Sequence, residues 1–176
     1  GRTKKGLGIG VFNAIEGRTE AIISDSIGNE RIYITNPLTN YNIFVLSQNL
    51  KNNSTVSLVN TNVIREGGSR DANVTAFQSD IYSMNGQFGI STNLRISAIT
   101  DQQSVFGHAF SSYIGKVAGV WQYAFSYSEE SDTYDPNDLG FLYNNNSRSY
   151  RGEVSWNAFV PSKYFYRRSA EFSFYY

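Results

Sequence analysis

Residues 119–127 alternate large aromatic side chains with small or polar ones. Trp121, Tyr123, Phe125 and Tyr127 occupy one set of positions, and Val120, Gln122, Ala124 and Ser126 the other. Successive side chains of a strand point to opposite faces, so this pattern predicts a strand with one aromatic face and one wettable face. Such a strand suits a soluble sandwich, with the aromatics in the core. It equally suits an outer-membrane barrel, with the aromatics toward lipid and the small residues toward a lumen.

Period two recurs along the chain, and helical periodicity does not. In residues 6–15, Leu7, Ile9, Val11 and Ile15 oppose Gly6, Gly8 and Gly10. Residues 88–98 set Phe88, Ile90, Leu94 and Ile96 against Gly89, Ser91, Asn93, Arg95 and Ser97. Residues 104–114 set Phe106, Phe110 and Ile114 against Gly107, Ala109 and Ser111. Tyr150, Val154 and Trp156 alternate with Arg151, Glu153, Ser155 and Asn157 over residues 150–158. Residues 164–176 place Tyr164, Tyr166, Phe172, Phe174 and Tyr176 against Arg167, Ser169, Glu171 and Ser173. Segments 41–49, 55–64 and 73–82 read as strands too, but Asn and Ser fall on both of their faces and leave the orientation open.

The sum is about nine strands of about ten residues, the length that crosses a bilayer at a tilt. The connections point the same way. Residues 16–40 and 129–149 are long, and 65–72 is of medium length. Residues 50–54, 84–87, 116–119 and the Pro-containing 160–163 are short. Long loops at one end and tight turns at the other are the asymmetry of bacterial barrels; residues 100–104 fit it least well. We therefore expect an all-β, antiparallel up-and-down transmembrane β-barrel, one domain over residues 1–176. Its lipid-facing residues are Trp121, Tyr123, Phe125, Tyr127, Tyr164, Tyr166, Phe172 and Phe174. Its lumen-facing residues are Arg95, Arg151, Glu153, Arg167 and Glu171. An odd count of about nine does not close in the even-numbered bacterial way, and bare edges cannot face lipid. The expectation is thus a segment of a larger, even-stranded barrel. No signal peptide opens the chain, which is expected either after its removal or for a segment of a longer protein.

Composition narrows the rest. Aromatics reach 15% of 176 residues, with Tyr 13 and Phe 12, while charged residues are 17%. Mean hydropathy is −0.37. No apolar run is long enough for a transmembrane helix. Lys+Arg and Asp+Glu are 15 each, so no net field favours nucleic acid as a partner. With no cysteine, disulfides and thiolate metal sites are excluded.

Few residues carry candidate chemistry. Asp132, Asp135, Asn137 and Asp138 precede Gly140 in the long 128–149 loop. Closely spaced carboxylate and amide oxygens suit calcium, although the EF-hand spacing and its bidentate Glu are missing. The alternative is an Asx-rich turn whose side chains cap their own backbone. Arg151 and Glu153, with Arg167 and Glu171, share the small-residue faces of neighbouring strands, where they cross-link an inner wall or select a solute. Their mutual neutralisation argues against a glycosidase carboxylate pair. His108, the single histidine, sits on the Phe106/Phe110 side and reads as a packing or interface residue. Gly6-Leu-Gly-Ile-Gly10 is followed by no helix, so it is no dinucleotide loop. The glycosylation-like Asn52-Asn53-Ser54 and Asn73-Val74-Thr75 occur often by chance.

Several phrases share one source: Thr3-Lys-Lys-Gly-Leu-Gly-Ile-Gly-Val-Phe-Asn-Ala14, Pro37-Leu-Thr-Asn-Tyr-Asn42, Leu50-Lys-Asn-Asn-Ser54, Asn60-Thr-Asn62 and Asp135-Pro-Asn-Asp-Leu-Gly140. In their order and spacing, from residue 3 to about residue 146, the chain resembles a barrel-forming domain of unknown function. That family belongs to Gram-negative outer-membrane proteins and is often labelled a membrane-associated hydrolase. The resemblance implies a barrel that follows a carbohydrate-binding domain similar to family-nine modules, in a protein serving glycan capture or envelope assembly. No residue here matches a catalytic set, so hydrolase activity is not carried over. The expected function is structural, anchoring or solute passage without catalysis, in the outer membrane of a Gram-negative bacterium. The expected partners are outer-membrane lipid, lipopolysaccharide and other envelope proteins. A secreted sandwich that binds glycans through exposed aromatics is the alternative. An envelope hydrolase would need catalytic groups outside this chain.

Overall fold

The computed structural model describes residues 1–176, and every regular element in it is a strand. In chain order these are β1 Leu7–Glu16, β2 Thr19–Ser24, β3 Glu30–Asn36, β4 Thr39–Asn49, β5 Thr55–Arg65, β6 Asp71–Tyr82, β7 Phe88–Thr100, β8 Ser104–Lys116, β9 Trp121–Glu130, β10 Ser147–Ala158 and β11 Arg168–Tyr175. Nine form one antiparallel sheet in the order β1-β4-β5-β6-β7-β8-β9-β10-β11. Segment by segment, these are the nine strands that the alternation predicts.

Two details differ from the sequence reading. The long 16–40 connection contains the separate β2–β3 hairpin, in which Ala21 pairs with Tyr33 and Ile22 with Ile32. Its turn is held by the Asp25 carboxylate, which accepts from the Ile27 and Asn29 backbone N–H groups at 3.0 and 2.9 Å. The last strand starts at Arg168, so Tyr164 and Tyr166 lie in the preceding turn and not on a strand face. Pro161 lacks a donor for a ladder, and Ser162 closes a turn with Phe165 at 2.8 Å. The nine-stranded sheet is open and is not closed into a barrel: β1 and β11 are its two edges. Nine strands in a meander leave the first and last running the same way, so they cannot complete an antiparallel ladder.

Turn chemistry sets the tight connections. Asn52 and Asn53 both hold φ near +57° between β4 and β5, and Gly67 and Gly68 hold +82° and +70° between β5 and β6. Two consecutive positive φ values match the right-handed strand twist at a hairpin, and Asn and Gly tolerate them best.

The register sorts the two faces. One rung carries Ile9, Leu46, Leu58, Phe77, Leu94 and Phe110 side by side across β1, β4, β5, β6, β7 and β8, then continues into Glu129 and Arg148. Two rungs nearer the short-turn end, Ile81, Ile90, Ile114, Phe125, Gly152 and Phe174 line up from β6 to β11. The apolar band therefore slides along the strands as it crosses the sheet. On the opposite face β7–β10 carry mainly Ser, Gly, Ala, Asn and a few charges, whereas β1 and β4–β6 also place Phe12, Tyr41, Ile43, Val45, Val59, Val63 and Val74 there.

No second layer covers either face. Only 13 of 176 residues are buried, and the one apolar core cluster is Val63, Ala72 and Ile99, packed by Tyr41. The accessible surface is 12420 Å², against about 8,600 Å² for a folded monomer of 19.8 kDa. Aliphatic and aromatic side chains make up much of the excess.

Backbone protection should follow this layout. Hydrogen exchange in the folded protein is expected to be slowest in β5–β8, which flank the core cluster, and fastest in the β2–β3 hairpin. A hairpin as protected as β6 and β7 would contradict the layout.

Candidate functional site

The polar face and the loop that folds onto it form the most organised region of side chains. Polar-face residues of β6–β10, among them Gln78, Asp80, Ser91, Asn93, Ser111, Tyr113, Ser126, Ser128, Ser149 and Arg151, line a groove of about 400 Å³. The Ser91 hydroxyl donates to Asp80 Oδ1 at 2.6 Å, and the Ser128 and Ser149 hydroxyls lie 2.7 Å apart. The Asn93 side-chain carbonyl and Arg95 Nε are buried without hydrogen-bond partners.

Residues 131–146, between β9 and β10, run inward over this face. Ser131 first continues the pairing with β8: its N–H donates to the His108 carbonyl at 2.9 Å, and its hydroxyl accepts from the His108 N–H at 2.9 Å. Thr133 then donates its hydroxyl to the Phe106 carbonyl at 2.7 Å. Between these two residues of β8 lies Gly107. A Cβ there would stand 2.3 Å from the Thr133 carbonyl oxygen and the Tyr134 nitrogen. The bare glycine is what lets the loop backbone lie against the sheet.

Tyr134 follows and is 2% exposed, the largest fully buried side chain of the molecule. The Arg95 guanidinium lies 5.5 Å from its ring centre, a cation–π arrangement. Burial raises the Tyr134 hydroxyl above the ordinary tyrosine pKa, against the lowering effect of Arg95. The Asp135 N–H donates to the fully buried Ser97 hydroxyl at 3.1 Å.

Beyond Tyr134 the loop reaches the β5–β6 turn and is clamped there. Arg65 Nη2 meets Asp138 Oδ1 at 2.7 Å; Arg70 Nη2 meets Asp135 Oδ2 at 2.7 Å and Asp138 Oδ2 at 2.9 Å. The loop thus forms a strap from β9, across β8 and β7, to β5, over one end of the polar face. Burial alone would raise the Asp135 carboxyl, but hydrogen bonds from Arg70 and Asn137 outweigh it and hold its pKa below the usual value. Arg70 is raised in turn, chiefly by hydrogen bonds from its guanidinium to Asp135 and Asp138.

Asp135, Asn137 and Asp138 of the expected calcium cluster do lie together. Asp135 Oδ1 accepts from the Asn137 N–H at 3.0 Å, as an Asx turn requires, and the other oxygens face Arg65 and Arg70. Asp132 is exposed and lies between two depressions, one shared with His108, Glu129 and Arg148 and the other with Asp135 and Asn137. The carboxylates form no group able to hold a metal ion. A cation at Asp135 and Asp138 would have to displace the guanidinium groups.

The other sequence-expected residues separate by face. Trp121, Tyr123, Phe125 and Tyr127 on β9 share the apolar face with Phe172 and Phe174 on β11, by way of Val154 and Gly152 on β10. Arg95, Arg151, Glu153 and Glu171 take the polar face, and Arg167 reaches Asn157 there at 3.5 Å. Arg151 and Glu153 pair at 3.0 Å, and Arg95 approaches Glu130 at 3.8 Å. Sequence reasoning missed Arg65, Arg70, Ser97, Gly107 and Tyr134. The only local signal was the Gly67-Gly68 turn that brings the two arginines to one end of the sheet.

The class of molecule this defines is a single-layer antiparallel β wall whose two faces separate into apolar and polar over β7–β10, with a strap across the polar side. Over residues 1–176 the chain matches the family described as Domain of unknown function (DUF5916), and it belongs to that family. No curated protein and no solved structure matches it.

Two outcomes test the strap. Asp138→Ala leaves Arg65 and Arg70 short of their shared carboxylate and should destabilise the strap by about 2 kcal/mol. Limited proteolysis within residues 139–146 should then rise at least tenfold, and unchanged cleavage would contradict the clamp. Because the folded Asp135 pKa lies below its unfolded value, its contribution is full above about pH 4 and fades as pH falls through the folded value. Cleavage of the strap should therefore increase below about pH 4 and stay flat between pH 5 and 8.

Proposed function

We propose that this chain is a wall of an integral outer-membrane β-barrel of a Gram-negative bacterium, with a structural, anchoring or solute-passage role and no catalysis. The observation that carries this reading is the uncovered apolar face together with its diagonal course. Strands that cross an apolar slab at a tilt must carry their lipid-facing residues at shifted heights from one strand to the next. The slide from Ile9 and Leu46 on β1 and β4 to Phe125, Val154 and Phe172 on β9–β11 has that form. A soluble single-layer sheet exposing 12420 Å² would leave this band in water.

In this reading the polar groove faces a lumen and the 131–146 strap narrows one end of it. The edges of β1 and β11 take up further strands, since lipid cannot bond to them. Lipid and lipopolysaccharide are then the partners of the apolar face. Glycan capture, which the family resemblance implies, would belong to a preceding carbohydrate-binding domain that this wall anchors.

Neighbouring positions on opposite faces provide the test. Phe125→Arg puts a charge into the apolar band and should cost about 2–4 kcal/mol of folding stability in liposomes. Ser126→Arg, one residue along on the polar face, should cost less than about 1 kcal/mol. Equal costs would sink the assigned orientation. The full-length protein should also fractionate with membranes, require detergent and migrate heat-modifiably on a gel; release without detergent would favour the glycan-binding sandwich.

A further inference from the structure

The two ends of the sheet carry opposite charge, although the chain as a whole is neutral. At the short-turn end, residues 1–6, 50–54, 83–87, 116–120 and 159–168 hold eight Lys and Arg and no Asp or Glu. At the long-loop end, residues 16–40, 65–71, 100–104 and 129–148 hold twelve Asp and Glu against five Lys and Arg. Pairing differs too. Arg18, Arg65, Arg70 and Arg148 each meet a carboxylate, whereas none of the eight short-turn cations lies in an ion pair. The acids next along the strands, Asp80, Glu153 and Glu171, stand on the polar face, where Arg151 holds Glu153 at 3.0 Å.

These cations follow the short-turn edge of the apolar band. The turn carrying Lys51 closes on the Asn49–Thr55 rung, which reaches β10 at Arg151. The rung of Lys116 reaches β10 further on, at Val154, and Arg168 pairs with Ala158, further still. The row therefore steps along the same diagonal as the band and is level wherever the band is level. Trp121 and Trp156 pair directly on the apolar face, between the rungs of Lys116 and Arg168. Lys116 Nζ extends over its turn to 3.6 Å from where a Gly119 Cβ would stand, as a snorkelling lysine does. We propose that this rim rests against the anionic phosphate headgroups of a phospholipid leaflet; the inference rests on the membrane-wall reading above. Indole rings with a polar N–H favour that depth, and each cation near an anionic surface adds attraction. Strands about 4.8 Å apart put the Lys51 and Lys116 turns about 19 Å from each other, too far to share one free anion. A plane of many phosphates meets them all.

The test offers the full-length protein, purified in a neutral detergent, equal amounts of phosphatidylglycerol and phosphatidylcholine. Mass spectrometry of the lipid it retains should show the anionic one enriched about tenfold. Washing in about 1 M salt, where the Debye length falls to about 3 Å, should abolish the enrichment. The Lys116→Gln/Lys163→Gln/Arg168→Gln variant should lose about fivefold of it while keeping its heat-modifiability. Arg18→Gln/Arg31→Gln, at the opposite end, should leave it unchanged. Should the triple variant fail to fold, the salt dependence of the wild type decides alone. Equal retention of the two lipids by a wild type that still requires detergent overturns the rim contact and leaves the membrane wall standing. Enrichment that survives the salt wash, or an equal loss in both variants, does the same. Release of the wild type without detergent overturns both.

Discussion

Backbone pairing between neighbouring strands is the interaction on which this structure depends. Of 107 backbone hydrogen bonds, 87 lie within the strands, whereas the buried apolar cluster amounts to three residues. A domain of this size normally takes most of its stability from a core between two layers. Here every strand between the two edges is paired on both sides and the core is almost absent, so whatever lies against each face completes the energetics.

Small residues on the polar face are what allow the strap to exist. Gly107 gives the backbone room, Ser97 accepts from it, and Tyr134 fills the space above, so the largest fully buried side chain of the molecule belongs to a loop. The arginine clamp lies at the far end, where Arg70 remains partly open to solvent. Packing of Tyr134 therefore positions the strap, and the Arg65, Arg70, Asp135 and Asp138 cluster fixes how far it reaches. Part of the polar face is left as an open groove, in which the Asn93 carbonyl has no partner of its own.

The two halves of the apolar face differ in chemistry. From β7 to β11 it is mainly aromatic and aliphatic, with charges at its two ends, Glu129 and Arg148 at one and Lys116 and Arg168 at the other. From β1 to β6 an amide rung of Asn13, Asn42, Asn62 and Asn73 interrupts it. This is why segments 41–49, 55–64 and 73–82 resisted orientation by pattern alone. Their asparagines occupy the face that carries apolar residues in the other strands, so a rule of polar in and apolar out assigns them to the wrong side. Only pairing with β7, whose alternation is clean, orients them.

Alternation is a local property: side chains two apart share a face in any strand, so nine strands and the two faces of β7 to β10 were legible from the residues alone. The connections 50–54 and 65–72 were legible as breaks between alternating segments, whereas the positive φ values at Asn52-Asn53 and Gly67-Gly68 that make the turns came from the structure. The β2–β3 hairpin escaped because it sits within a stretch that reads as one long connection, and the Tyr164–Tyr166 segment misled because its alternation runs on through a turn. The strap, its clamp and the amide rung were decided only by tertiary structure. Arg70 meets Asp138 across 68 positions of chain, and Asn13 meets Asn42 across 29. No periodicity encodes contacts at such separations; they exist because the register of the intervening strands brings those residues to the same height on the sheet.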